Sequence, residues 1–146
     1  MKATFKPGKF DNARNWDREK ERVNSWKVVA PDPTASDGIR ELIDARCWMG
    51  KSRNASTVYA SVWIHGPGGD WHSGRGNAGG YGYHKESAAI GDALASAGVE
   101  LWGSPYANEQ GDETKRAHIN GCGSSSIEAA LRAIAAALGY PQVAIV

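Results

Sequence analysis

Residue types that can hold an anion gather in two stretches of this chain. The first, residues 66–82, reads Gly-Pro-Gly-Gly-Asp-Trp-His-Ser-Gly-Arg-Gly-Asn-Ala-Gly-Gly-Tyr-Gly and runs on into Tyr83, His84, Lys85 and Ser87. Arg75 is a fork-shaped donor suited to phosphate, and Lys85 is a second cation. Trp71, Tyr81 and Tyr83 offer rings that stack on a base. Gly79 and Gly80 let the backbone approach a ligand closely. The second stretch, residues 120–126, reads Asn-Gly-Cys-Gly-Ser-Ser-Ser. There Gly121 and Gly123 give backbone access, and Ser124 and Ser125 add hydroxyl donors. Each stretch empties into a helix-patterned segment, and a helix N-terminus presents unpaired N–H groups and a partial positive charge. Two such ends in one small chain point to an anionic small ligand, with phosphate the first candidate. The expected ligand set is Arg75, Gly79, Gly80, Tyr81, Tyr83, His84, Lys85, Gly121, Gly123, Ser124 and Ser125.

Both stretches also have a plainer reading. The first can be a long hairpin or Ω-like loop whose glycines serve only turn geometry. Ser124 or Ser125 can simply cap a helix. Residues 74–79 spell G-x-G-x-x-G, but no βαβ unit surrounds them and the helix pattern begins several residues later, so no dinucleotide fingerprint follows. Lys85 lies outside the spacing of a Walker loop. Cys122 precedes a helix start, where a thiol pKa can fall, and His84 or His118 could serve it as base. A small buried cysteine is the plainer account. The four histidines lack H-x-x-x-H spacing, and Cys47 and Cys122 make neither a disulfide framework nor a zinc set. No catalytic residue, metal or cofactor is therefore assigned.

The elements that must position these residues fit one domain. The 146 residues are enough to bury a real core. A net charge of +1 argues against a dedicated duplex-DNA binder. That charge is uneven. Residues 1–27 carry eight Lys/Arg against four Asp/Glu, and residues 86–146 three against seven. Opposed ends suit contacts in an oligomer, although a solvated basic arm explains them as well. The six tryptophans are many for this length and suit an interface or a pocket as well as a core. The Lys-rich start has no apolar signal core, and no stretch approaches the ~20 apolar residues of a membrane span, so the expected location is cytoplasmic.

Residues 1–24 read as a polar basic arm, with a short helical stretch over 14–22, and residues 25–146 as a single α+β domain. Strands are expected at 25–30, 39–49 and 56–65, with a short one at 71–73. The strongest β signal is Thr57, Val58, Tyr59, Val62, Trp63 and Ile64. Ile90, Ala93, Leu94 and Ala97 make a helical stripe over 86–97, stopped by Gly98. Ile127, Leu131, Ile134 and Leu138 make another over 124–138, with Ser125 and Glu128 in a capping-box pattern and Gly139 as stop. A final strand is expected at 142–146, and its apolar residues must pair at a sheet edge or in a neighbouring subunit. The expected architecture is an antiparallel sheet with two helices on one face and a C-terminal strand.

Residues 71–89, followed by Ile119-Asn120-Gly121-Cys122-Gly123 opening an Ala-rich helix, resemble small phage and prophage proteins, in particular the Thoeris anti-defence sponge family. The likeness spans about 40–140 and leaves out the N-terminal 30 residues. It implies an oligomer that sequesters cyclic ADP-ribose-type immune signals or cyclic oligonucleotides in the host bacterial cytoplasm. The resulting expectation is a non-enzymatic binder of a phosphorylated nucleotide, a homo-oligomer built on a dimer. Two alternatives stay open. One is a phage inhibitor that blocks a host defence protein through a tryptophan-rich surface, in the manner of an anti-CRISPR. The other is a small nucleotide-processing enzyme using Cys122 or a histidine.

Overall fold

The computed structural model describes residues 1–7, 21–49, 57–66, 69–79, 85–104, 112, 114–117, 119 and 123–146, with backbone alone at 21–23 and 123–125. The order is β1 (Lys2–Phe5), β2 (Glu21–Pro31), β3 (Ile39–Met49), β4 (Val58–His65), β5 (Trp71–Ala78), α1 (Lys85–Ser96), β6 (Val99–Trp102), α2 (Gly123–Ala137) and β7 (Ala144–Ile145). The fold is α+β, but the strands form two antiparallel sheets rather than one. β5-β4-β3-β2-β7 make the larger, and β1 pairs with β6 in the smaller. Lys2–Phe5, expected in a polar arm, is thus a strand, and Ala3 lies in the core. The pattern hid it because only four residues pair and one of them is buried. The helical stretch expected at 14–22 lies largely outside the described residues, and Glu21 and Arg22 belong to β2.

Strand alternation gives the larger sheet two chemically distinct faces. One face carries Ile43, Ala45 and Cys47 of β3, and Val58, Ala60, Val62 and Ile64 of β4. All seven are buried in the main core cluster. In β5 the paired residues on that face are His72, Gly74, Gly76 and Ala78. The other face carries Trp48, Tyr59, Trp63, Trp71, Asp44, Arg46 and Arg75.

α1 seats on the apolar face through β5. A Cβ at Gly74 would stand 2.3 Å from the Ala93 carbonyl oxygen, and one at Gly76 2.4 Å from the Ala93 nitrogen. Backbone meets backbone there, so only glycine fits. These two glycines, expected in a loop, sit inside a strand and exist for helix–sheet contact. Glycine has poor strand propensity, which is why the sequence pattern stopped the strand at Ser73. His72 shares this face. Its Nδ1–H donates to the Ala97 carbonyl at 3.2 Å, and its ring meets Phe5 edge-on at 5.1 Å, as a satisfied core histidine.

α2 adds Ile127, Leu131 and Ile134 to the same core and packs on β1 and α1. It ends in a Schellman turn. The Tyr140 N–H reaches the Ala135 carbonyl at 2.9 Å, the Gly139 N–H reaches Ala136 at 3.0 Å, and Gly139 has φ of 94°. β7 then joins the sheet edge beside β2, with Val146 and Lys27 exchanging both backbone bonds. The apolar tail is therefore paired within its own chain. Among the described residues, no helix is long and apolar enough to cross a membrane.

Candidate functional site

The structure separates Arg75 from Lys85. Arg75 stands mid-strand in β5 opposite Ser61, half-buried, on the face away from α1. Lys85 is the first residue of α1, which lies against the Gly74–Gly76 face. The sheet lies between them, so they do not form one cation pair. Gly79 follows β5, and a Cβ there would meet the Thr57 hydroxyl oxygen at 3.1 Å, a tight but side-chain contact. Gly80, Tyr81, Tyr83, His84 and Gly121 lie outside the described residues. Gly123, Ser124 and Ser125 open α2, where only their backbone is described.

Ile119 links the first turn of α2 to the middle of α1. The buried Ser126 hydroxyl in the first turn of α2 donates to the Ile119 carbonyl at 2.9 Å. The Ile119 side chain lies over Gly91 of α1, where an added Cβ would meet its Cγ1 at 3.1 Å. Gly91 is six residues, or about 9 Å of rise, beyond the start of α1.

A cavity of about 310 Å³ opens on this flank of α1. Leu94, Val99, Leu101 and Ile119 give it an apolar floor, and Asp92, Glu100 and Arg116 give it charge. Arg116 is held there because residues 115–117 run beside β6. The Ala117 N–H bonds the Leu101 carbonyl at 2.7 Å, the Gly103 N–H bonds Lys115 at 2.8 Å, and Arg116 bridges to Trp102. Upstream, Asp112 holds a turn by accepting the Thr114 N–H at 2.9 Å and its hydroxyl at 2.6 Å. Those bonds to the charged form hold the Asp112 carboxyl below the usual range.

The charges of the cavity are ordered. Glu100 Oε1 accepts Lys6 Nζ at 2.8 Å and Arg116 Nη2 at 3.2 Å. The Lys6 hydrogen bond above all, with both cations, holds the Glu100 carboxyl below its ordinary value. Asp92 Oδ2 accepts the Asn77 N–H at 3.1 Å, so its carboxylate is fixed at the β5 edge. Sequence reading missed all three of these residues. Arg116 is one of two adjacent cations, with Lys115, in a polar segment, and Asp92 sits on the polar side of a helix. Neither has a spacing that marks it.

The opposite face of the sheet presents rings. Trp71 stacks on Trp63 at 4.1 Å and on His65 at 4.3 Å, and is itself 38% exposed. Arg40 can only donate, so its 3.0 Å contact fixes His65 Nδ1 as an acceptor and the ring as neutral. Burial and then the Arg40 charge push the His65 pKa down. In the middle of this face Arg46 grips the buried Asp44 with two bonds of 3.0 and 2.8 Å. Cys47, on the core face, is buried and its thiol pKa is driven far up by burial and the Glu86 charge, so it is no nucleophile. Cys122 and His118 lie outside the described residues. Among the described residues no group of His, Cys, Asp and Glu could hold a metal ion.

No family model, curated protein or solved structure matches this chain. The chemistry of the site must be read from its own residues.

Proposed function

We propose that this protein is a non-catalytic binder that sequesters a phosphorylated nucleotide signal, of the cyclic ADP-ribose type or a cyclic oligonucleotide, as a phage anti-defence protein in the host cytoplasm. The observation that carries the reading is the cavity beside α1 and Ile119. Its lining residue Ile119 accepts a bond from Ser126 in the first turn of α2, and the cavity holds Arg116 at its wall and combines an apolar floor with a few fixed polar groups. That combination is what small-molecule sites need. The ligand class itself comes from the sequence resemblance. Titration calorimetry with cyclic ADP-ribose isomers and cyclic dinucleotides tests it. The reading requires saturable binding, with the ligand recovered unchanged by chromatography. Recovery of a converted product would move the protein to the enzyme reading.

A second reading is favoured by one observation. Gly74 and Gly76 serve helix packing, and the exposed Trp71 stack lies on the other face of the sheet. Tryptophan and arginine are the residue types that anchor protein interfaces. On this reading the protein blocks a host defence protein through that face. Trp71→Ala would then abolish protection of phage while leaving nucleotide binding intact.

We propose in addition a homo-oligomer built on a dimer. The paired tail removes one reason for it, but Ile39 and Val146 remain 46% and 71% exposed. Light scattering that gives only the monomer mass at micromolar concentration would contradict this.

A further inference from the structure

A carboxylate on the wall of an anion site is a conflict unless the anion's charge stays away from it. Asp92 is such a carboxylate. It is exposed and makes no ion pair among the described residues, and Asn77 fixes one of its oxygens. Glu100 differs, because Lys6 and Arg116 compensate it. Arg116 is 61% exposed, at the rim, while Leu94, Val99, Leu101 and Ile119 form the apolar floor. The volume of about 310 Å³ is at the small end of ligand pockets, which run from about 300 to 1,000 Å³.

We infer that the cavity takes one uncharged nucleoside unit of the ligand, with Asp92 accepting hydrogen bonds from its ribose hydroxyls or base amine and Arg116 meeting the phosphate at the rim. This rests on the nucleotide reading above and says which end of the ligand is recognised. The physical grounds are three. A fixed, unpaired carboxylate accepts from hydroxyl and amine donors and repels phosphate. An apolar floor matches a base and not a phosphate. A guanidinium at a wet rim can hold phosphate without burying either charge.

The test is titration calorimetry on the intact protein with adenosine, guanosine, their 5′-monophosphates, inorganic phosphate and cyclic ADP-ribose as probes. Wild type, Asp92→Asn and Arg116→Gln are compared. Asparagine keeps an oxygen for the Asn77 N–H, and thermal melts check that both variants fold. At least one nucleoside should bind, its monophosphate should bind more tightly, and phosphate alone should not bind. Asp92→Asn should weaken nucleoside and monophosphate alike by about tenfold. Arg116→Gln should weaken the monophosphate and spare the nucleoside. Monophosphate binding without nucleoside binding, made tighter by Asp92→Asn, would put phosphate in the cavity and overturn the inference while the nucleotide reading stands. Nucleoside binding that ignores Asp92→Asn would overturn it too. If cyclic ADP-ribose binds and no nucleoside or monophosphate does, this inference fails alone. If none of them binds, and cyclic dinucleotides do not bind either, the nucleotide reading fails with it.

Discussion

Two hollows of the same size lie at different ends of this fold, and they differ in almost every other respect. The one beside α1 and the one along β2 and β7 each measure about 310 Å³. The first has Asp92, Glu100 and Arg116 on its walls, each fixed by backbone or by an opposite charge. The second is lined by Val29, Ala30, Pro31, Ile39, Val143 and Ala144, with Gln142 as its polar member. Volume alone therefore does not mark a site. Fixed polar groups around an apolar floor supply orientation and specificity, while an apolar trough at a sheet edge supplies only surface to cover.

The comparison can be broken most severely at Gly76. An added methyl there meets the backbone of Ala93 at 2.4 Å and of Ala89 at 2.6 Å, so α1 must move. Gly76→Ala is expected to cost about 3 kcal/mol in urea unfolding, the upper end of ordinary overpacking. It should remove the charged hollow, whose wall is α1, and leave the apolar one in place. A variant with wild-type stability would show that α1 does not depend on this seat.

The next effect is on binding. Arg116→Gln should weaken a phosphorylated nucleotide by about 1.5–3 kcal/mol, the worth of a bond to a charged group, with stability changed by less than about 0.5 kcal/mol. The small stability effect follows from the 61% exposure of Arg116. Calorimetry and a melt on the same sample separate the two. At the other hollow, Ile39→Glu should leave nucleotide affinity unchanged and shift the light-scattering mass from dimer to monomer. A loss of nucleotide binding there would erase the distinction between the two hollows.

The smallest effect is pH dependence at His65, whose partner Arg40 adjoins Ile39 of the apolar hollow. Its pKa is depressed in the fold by burial and by Arg40, so the folded state favours the neutral ring. The stabilisation is present above the unfolded value of about 6.5 and is lost as pH falls through the lower folded value. The melting temperature should drop over that acidic window, and His65→Gln should remove this part of the drop. An unchanged drop in the variant would assign it to carboxylates.

The sequence pattern read the core well and the site poorly, for one physical reason. Burial leaves periodic traces, and recognition does not. The strand over 39–49 and both helical stripes stand where Ile43, Ile90 and Ile127 demanded, because alternation and 3.6-residue spacing write a core into the chain. β5 was read short because Gly74 and Gly76 look like loop and serve as contact surface for α1. β1 and β6 were missed because four-residue strands leave too little pattern. Arg116 and Asp92 carry no local signal at all, since they come to line one cavity only when residues 115–117 lie against β6 and α1 lies against β5. Arg75, the most conspicuous cation in the sequence, faces away from that cavity.

The most direct measurement is a crystal structure of the protein grown with cyclic ADP-ribose. The account predicts ligand density in the hollow between α1 and β6, with hydroxyl or amine groups on Asp92 and a phosphate oxygen on Arg116. Density against Trp71 on the opposite sheet face, or in the apolar trough beside β7, would contradict it.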